Sequence, residues 1–273
     1  MKLSFNTWCY CSFPNWLPAY PLDYVINKIA SIGYDGIEIG CAAPTAYPPY
    51  LSKEYRKNIL QLLKSSKIEV SSALPAPGGG CGNNVASPIE AERLQAIQSY
   101  KDCIDLLYDL EGKICIYVAG WVIYGVDQDQ AWEWSKECLS ELADYAKSKG
   151  IVIAIEPTPS DSNLIETAYD AVKLMKETGK KNVGVMFDTI HAFYRGDIIT
   201  DYVDIMNSNL IHIHISDKER MPPGTFTDFK PLVEKLKSIN YKGYLAMEIA
   251  LGSRGIDGSD FALKAFNYMK SIL

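Results

Sequence analysis

Four side chains able to bind a cation stand at or near the ends of four apolar runs: Glu156 in IAIEP, Asp188 in VMFDT, His214 in HIHIS and Glu248 in LAMEI. They follow one another at spacings of 32, 26 and 34 residues. A carboxylate inside a β-branched run is expensive to bury unless it is paired or coordinated, and three that converge repel one another. A divalent cation at their centre removes both costs. Three carboxylates and one imidazole form a hard, oxygen-rich donor set, which suits Mn²⁺, with Mg²⁺ or Co²⁺ as alternatives, better than a structural zinc.

The chain has only three histidines, and two of them, His212 and His214, lie two residues apart in LIHIHIS. Strand alternation points both to one face. His214 is nearer the following loop and is the expected ligand, whereas His212 is expected to be an interior residue that supports the ligand from below. The third, His191, comes three residues after Asp188 in FDTIHAFYRGD and is read as lying in a loop over the site. Polar residues on such loops usually serve function; the alternative is a helix-capping or surface histidine.

These side chains need elements that bring them to one place. Short β-rich runs alternate with longer amphipathic ones throughout, the pattern of a parallel sheet with helical crossovers. Strands are expected at 3–7, 36–40, 68–74, 114–120, 151–157, 183–188, 210–216 and 243–249, with helical stretches such as 91–108, 130–149 and 229–239 between them. Eight strands is the count that closes a barrel, and the ligand spacings match one strand-plus-helix unit of a barrel of ~250 residues. The expected fold is therefore an α/β single (β/α)8 TIM barrel over residues 1–273, with all four ligands on one rim. In SIGYDGIEI, KSKGIVIAIEP and INYKGYLAMEI a glycine is read as ending the preceding helix in a left-handed conformation. The Gly/Pro-rich stretch 75–88 follows the third strand and is either a linker or a segment covering a substrate.

Composition narrows the function. With 48% hydrophobic and 22% charged residues the chain reads as an ordinary globular protein. Its net charge of −6 has the wrong sign for collecting phosphate backbone, so no nucleic acid partner is expected. No apolar run approaches the ~18 residues of a membrane span, and MKLSFNTWCYCSFPNW lacks the unbroken apolar core of a signal peptide. A cytoplasmic protein is expected. The seven cysteines are scattered, and buried reduced thiols are their expected state.

The series IEPTPSDSN, MFDTIHAFYRGD, HIHISDKER followed by PPG, and GYLAMEI, together with GYDGIEIG, resembles the sugar isomerase/epimerase superfamily of xylose isomerase-like TIM barrels. Within it the chain is most similar to ketose 3-epimerases of the D-tagatose and D-allulose (psicose) type. The resemblance covers nearly the whole chain. It implies that Glu156, Asp188, His214 and Glu248 hold the metal. It also implies that His191 and Arg220, the latter six residues after His214, bind substrate. Two departures stand out. Asp161 occupies the place of a substrate-contacting Glu, in a loop one residue shorter than the family's, and Phe226 replaces the second glycine of the loop after the metal histidine.

The resemblance further implies a small-molecule sugar substrate, a homodimer or homotetramer, and a mechanism. A ketose bound to the metal through O2 and O3 would lose its C3 proton to one of Glu156 and Glu248, forming a cis-enediolate, and regain it from the other on the opposite face. Trp16 and Trp121, in two strand-following loops, are candidate walls for the sugar, with core packing as the equal alternative.

Rival readings keep the metal site. They are aldose–ketose isomerisation, dehydration of an inosose-like polyol, and a phosphorylated substrate held by LGSRGIDGS with Ser253 and Arg254. Three histidines are too few for a multi-zinc endonuclease. A non-catalytic sugar-binding barrel would have no need of a carboxylate on each side of its ligand.

Overall fold

A computed structural model describes residues 1–10, 20–43, 45–75, 83–250 and 258–273. Eight strands line one closed barrel: β1 (Lys2–Asn6), β2 (Gly36–Cys41), β3 (Glu69–Pro75), β4 (Ile114–Val118), β5 (Val152–Glu156), β6 (Val183–Asp188), β7 (Leu210–Ile215) and β8 (Tyr244–Met247). Every strand pairs in parallel with its sequence neighbours, and β1 closes the ring against β8 through Ser4 opposite Ala246. The expected strands are thus all present. Those anticipated at 114–120 and 151–157 stop two and one residues sooner, because the loop that builds the rim begins there.

Around the barrel lie α1 (Leu22–Ile32), α2 (Lys53–Ser66), α3 (Glu90–Asp109), α4 (Gln128–Lys147), α5 (Ala168–Thr178), α6 (Thr189–Arg195), α7 (Ile199–Met206), α8 (Lys230–Ser238) and α9 (Gly258–Ile272). Alternation divides each strand between two environments. Outward residues such as Phe5, Ile37, Tyr117, Ile155, Phe187 and Ile213 join the helices in the main apolar core. Inside the barrel, Leu74, Ile116, Ala154 and Met186 form a separate apolar cluster on the β3–β6 side. Across from it the interior is polar: Ser4, Asn6, Glu38, Ser72 and His212 are all buried there. The barrel mouth therefore rests on a half-apolar, half-polar plug.

Turn chemistry follows the expected grammar with one correction. Gly33 (φ 109) ends α1, its N–H reaching back to Ile29 and Ala30 carbonyls, and Gly150 (φ 66) turns the chain into β5. In INYKGYLAMEI the left-handed residue is Asn240 (φ 57) rather than Gly243. Asn enters this conformation more readily than most other non-glycine residues do. Gly243 serves a close approach instead, since a Cβ there would meet the Tyr241 hydroxyl at 2.4 Å.

Among the described residues the cysteines are buried thiols, and no helix is long and apolar enough to cross a membrane. Trp16, residues 76–82 of the Gly/Pro-rich stretch, and residues 251–257 with Ser253 and Arg254 lie outside the described residues.

The loop after β7 is unusual. Glu219 and Arg220 both sit in the left-handed region, at φ 58 and 53. Such positions cost about 1 kcal/mol or more each for a non-glycine residue and persist only where the surroundings over-determine them. Here the anchor is Asp217. Its Oδ2 accepts from the backbone N–H of Phe226 (2.7 Å) and Thr227 (2.9 Å), and its Oδ1 from Lys218 N–H (2.8 Å) and Thr227 Oγ1 (2.7 Å). Burial works against the charge, yet these donors hold the carboxyl below its ordinary pKa.

Asp217→Asn should therefore destabilise the protein at pH 7, by about 2 kcal/mol for hydrogen bonds to a charged group. A depressed folded pKa means that this contribution is present above the unfolded value of ~3.9 and lost as pH falls through the folded one. The gap between wild-type and variant unfolding curves should accordingly narrow as pH falls below ~3.9. A constant gap from pH 7 to pH 3 would remove the carboxylate from this role.

Candidate metal centre

Strand ends set the positions of the four expected ligands. Glu156 is the last residue of β5 and Asp188 the last of β6. Asp188 is paired in register with His214 of β7, and His214 with Ala246 of β8. Glu248 lies two residues beyond Ala246 and so points to the same inner face. One donor atom from each of the four falls within 4.8 Å of all the others, and every one of these residues is buried. The structure brings together what the sequence spaced one strand-plus-helix unit apart.

Two features of this cluster fit a divalent cation. First, His214 Nδ1 is buried and lacks a hydrogen-bond partner, although Glu156 Oε1 and Glu248 Oε2 lie 3.3 and 3.2 Å away. A ring nitrogen aimed between carboxylate oxygens is a ligand geometry. Second, Asp188 is poorly compensated. Burial pushes Asp188 up to about 8, with the Glu248 and Glu156 charges adding to the effect and Arg220 opposing it. Glu248 goes the other way: burial would raise it, but Arg220 and His214 hold it well below the usual range. The imidazole of His214, which burial would keep neutral, is driven upward by Glu38, Glu248 and Glu156.

Arg220 supplies the neutralising charge. Its Nη1 lies 3.0 Å from Asp188 Oδ2, 2.6 Å from Glu248 Oε2 and 3.2 Å from the Glu248 carbonyl. The left-handed turn at Glu219–Arg220 is what delivers the guanidinium there, with Ala250 N–H bonded to the Arg220 carbonyl at 3.0 Å. Expected as a substrate contact, Arg220 is seen bridging two of the expected ligands.

His191 is not in a loop. Asp188 Oδ1 accepts the Ile190 N–H and caps α6, so the chain turns helical at once and places His191 in its first turn, 2% exposed. Short polar acceptors at this position nucleate helices, which the loop reading overlooked. The ring Nδ1 contacts Ser160 Oγ at 3.0 Å, and Nε2 lies 3.8 Å from Asp161 Oδ2. Burial lowers its pKa, against the pull of Glu156. Asp161 itself is largely exposed. Trp121 stands on the loop after β4, partly buried, where Asn84 fixes its backbone by accepting from its N–H (3.1 Å) and donating to its carbonyl (2.9 Å).

One residue at the centre was not singled out by sequence reasoning. Glu38 of β2 is completely buried beneath His214 and contacts both inner histidines. The signal was available: a carboxylate flanked by isoleucines in GIEIG carries the same burial cost as Glu156 in IAIEP. It was hidden because Glu38 sits mid-strand, one level below the rim.

Comparison with known proteins agrees with this architecture. Fructoselysine 3-epimerase of Shigella flexneri is 25% identical over 84% of this chain and 85% of its own length. D-psicose 3-epimerase of Ruminiclostridium cellulolyticum is 28% identical over 87% and 81% of the two chains. The crystal structure of D-psicose 3-epimerase with D-tagatose from Clostridium cellulolyticum H10 superposes with a TM-score of 0.86 at 24% identity, covering 100% of this chain and 99% of that one. The family model for the xylose isomerase-like TIM barrel matches residues 26–271, and the chain belongs to that family.

Proposed function

We propose that the protein is a divalent-metal-dependent ketose 3-epimerase acting on a free ketose. The observation that carries this reading is the pair Glu156 and Glu248. They come from strands three apart around the ring, yet their carboxylates both approach His214 Nδ1, at 3.3 and 3.2 Å. Inversion at a carbon needs an acid–base group on each face, and a one-sided shuttle does not. The relatives named for 3-epimerase activity support C3 as that carbon.

Glu156, Asp188, His214 and Glu248 would hold the ion, for which Mn²⁺ is our first choice, with Mg²⁺ or Co²⁺ as alternatives. When bound, a divalent cation supplies Lewis-acid polarisation of the ketose carbonyl and makes the C3 hydrogen more acidic. One of Glu156 and Glu248 takes that proton, leaving a cis-enediolate, and the other delivers a proton to the opposite face. Arg220 and His191 are the donors placed to hold the negative charge that develops on O2. Arg220 is permanently cationic, its pKa raised by Glu248 and Asp188 against the effect of burial, whereas burial disfavours the charged form of His191. Asp161, Trp121 and Trp16 are assigned to the far end and walls of the sugar. The working form is a homodimer or homotetramer in the cytoplasm, with all 273 residues in one domain.

Metal binding should stabilise the fold. At a hundred times its dissociation constant an ion adds about 2.7 kcal/mol, so the melting temperature should fall on chelation and recover with Mn²⁺ or Co²⁺. An unchanged melting curve for verified metal-free protein would sink the site. His214→Ala should lose metal and turnover together, while His191→Ala should keep metal and turn over poorly; equal metal loss would reverse the two assignments.

In D₂O, deuterium should appear at C3 of the epimerised product by NMR. Its appearance at C1 or C2 with an accumulating aldose would favour an isomerase. Glu156→Gln and Glu248→Gln should each abolish epimerisation, one of them retaining solvent exchange from a single epimer, with metal content measured in parallel. Arg220→Lys should be impaired, because a point charge does not reproduce the planar donor fork; wild-type rates would remove Arg220 from the chemistry.

A further inference from the structure

Beneath the centre lies a buried polar cluster that the proposed proton transfers do not use. Its hub is Glu38, whose carboxylate offers about four lone-pair sites. Four donors occupy them. Asn6 Nδ2 lies 2.6 Å from Oε1, His212 Nε2 lies 2.7 Å from Oε2, and the Ser72 hydroxyl donates to Oε2. His214 Nε2 spans the two oxygens at 2.8 and 3.0 Å. The Asn6 amide is not free to flip, because its Oδ1 accepts the Trp8 N–H at 2.8 Å. Its Nδ2 therefore faces both Glu38 and, at 3.3 Å, Glu248 Oε1.

Glu38, His212 and His214 could also be read as a second ion site, since their donor atoms cluster. The distances argue otherwise. Nitrogen–oxygen separations of 2.7 and 2.8 Å are those of charge-assisted hydrogen bonds. Two ligand atoms on one ion, each ~2.1 Å from it, stand farther apart than that at tetrahedral or octahedral angles. Nε2 of each histidine therefore carries a proton.

We propose that Glu38 is the positioning residue of the metal centre. By accepting the Nε2–H of His214 it selects the tautomer whose Nδ1 lone pair faces Glu156 and Glu248, and through Asn6 it also steadies Glu248. His212 and Ser72 keep the Glu38 carboxylate in the plane that His214 requires. Partners behind a metal-bound histidine commonly raise its basicity and fix its ring. In this chain the device comes from three strands away around the ring: β2 serves a ligand on β7. This inference rests on the reading of His214 as a ligand, and its test separates the two.

Mn²⁺ affinity is measured from the free-ion EPR signal in wild-type protein, Glu38→Gln and Ser71→Ala. Ser71 belongs to the same cluster, 2.6 Å from Ser4 Oγ and 3.2 Å from Ser72 Oγ, without touching His214. Glu38→Gln should bind Mn²⁺ roughly 10- to 100-fold more weakly, while Ser71→Ala should lower the metal-free melting temperature and leave affinity unchanged. Equal affinity in wild type and Glu38→Gln, or equal weakening in both variants, would overturn the positioning role. Wild-type protein that binds no Mn²⁺ would overturn the metal centre itself.

Should Glu38→Gln fail to fold, the wild type answers alone. Three histidines give a simple ¹H–¹⁵N spectrum of the Zn²⁺-loaded protein. His214 must show a protonated Nε2 and a metal-shifted Nδ1, and the reverse pattern would overturn the proposal.

Discussion

The arrangement of this protein depends on one electrostatic problem: Glu38, Glu156, Asp188 and Glu248 are all buried within or at the mouth of a single β-barrel. An isolated carboxylate in such a place would neutralise or unfold the chain around it. Each here has partners instead. Glu38 is saturated by Asn6, Ser72, His212 and His214, while Asp188 and Glu248 share Arg220. His214 links the two levels, its Nε2 on Glu38 and its Nδ1 between Glu156 and Glu248. Much of the remaining local structure serves to keep these pairings in register.

That service is visible in the loops. Asp188 caps α6 with one oxygen and meets Arg220 with the other, so the residue that starts the helix carrying His191 also faces the centre. Asp217 holds the loop from Lys218 to Thr227 against its own left-handed strain, and that loop supplies Arg220. Asn84 ties the loop after β3 to the loop after β4 through both backbone groups of Trp121. Side-chain caps and cross-loop bonds gather on the carboxyl-terminal rim, together with the left-handed pair Glu219 and Arg220. This is where barrel enzymes assemble their sites, because side chains from several strand ends converge there while the strands below stay rigid.

The barrel interior shows how rigidity and polarity are reconciled. On the β3–β6 side Leu74, Ile116, Ala154 and Met186 fill the lumen with apolar bulk. On the β1–β2 and β7 side, reaching the start of β3, the filling is a hydrogen-bonded cluster running from Ser4 through Ser71 and Ser72 to Glu38 and the histidines. A satisfied polar network in a low-dielectric interior specifies geometry more sharply than aliphatic packing does. It lies directly beneath the groups that must be held to a fraction of an ångström.

The sequence by itself determined the eight-stranded barrel and the convergence of Glu156, Asp188, His214 and Glu248. Both follow from periodicity: strands recur at one strand-plus-helix unit, and a polar residue at the end of an apolar strand must face the mouth of the closed sheet. It could not determine which partners satisfy a buried charge, because those come from strands far away in the chain. Glu38 and His214 are separated by 176 positions and meet only when the ring closes. The bridging of Asp188 and Glu248 by Arg220 depends on two consecutive left-handed residues, neither of them glycine, which no local pattern announced. The helix around His191 escapes a local pattern for a related reason: Asp188 faces the centre with one oxygen and caps the helix with the other. Sequence spacing shows which groups arrive at the same rim, whereas pairing, tautomer and charge balance are properties of the closed barrel, where desolvation makes an unpartnered polar atom costly.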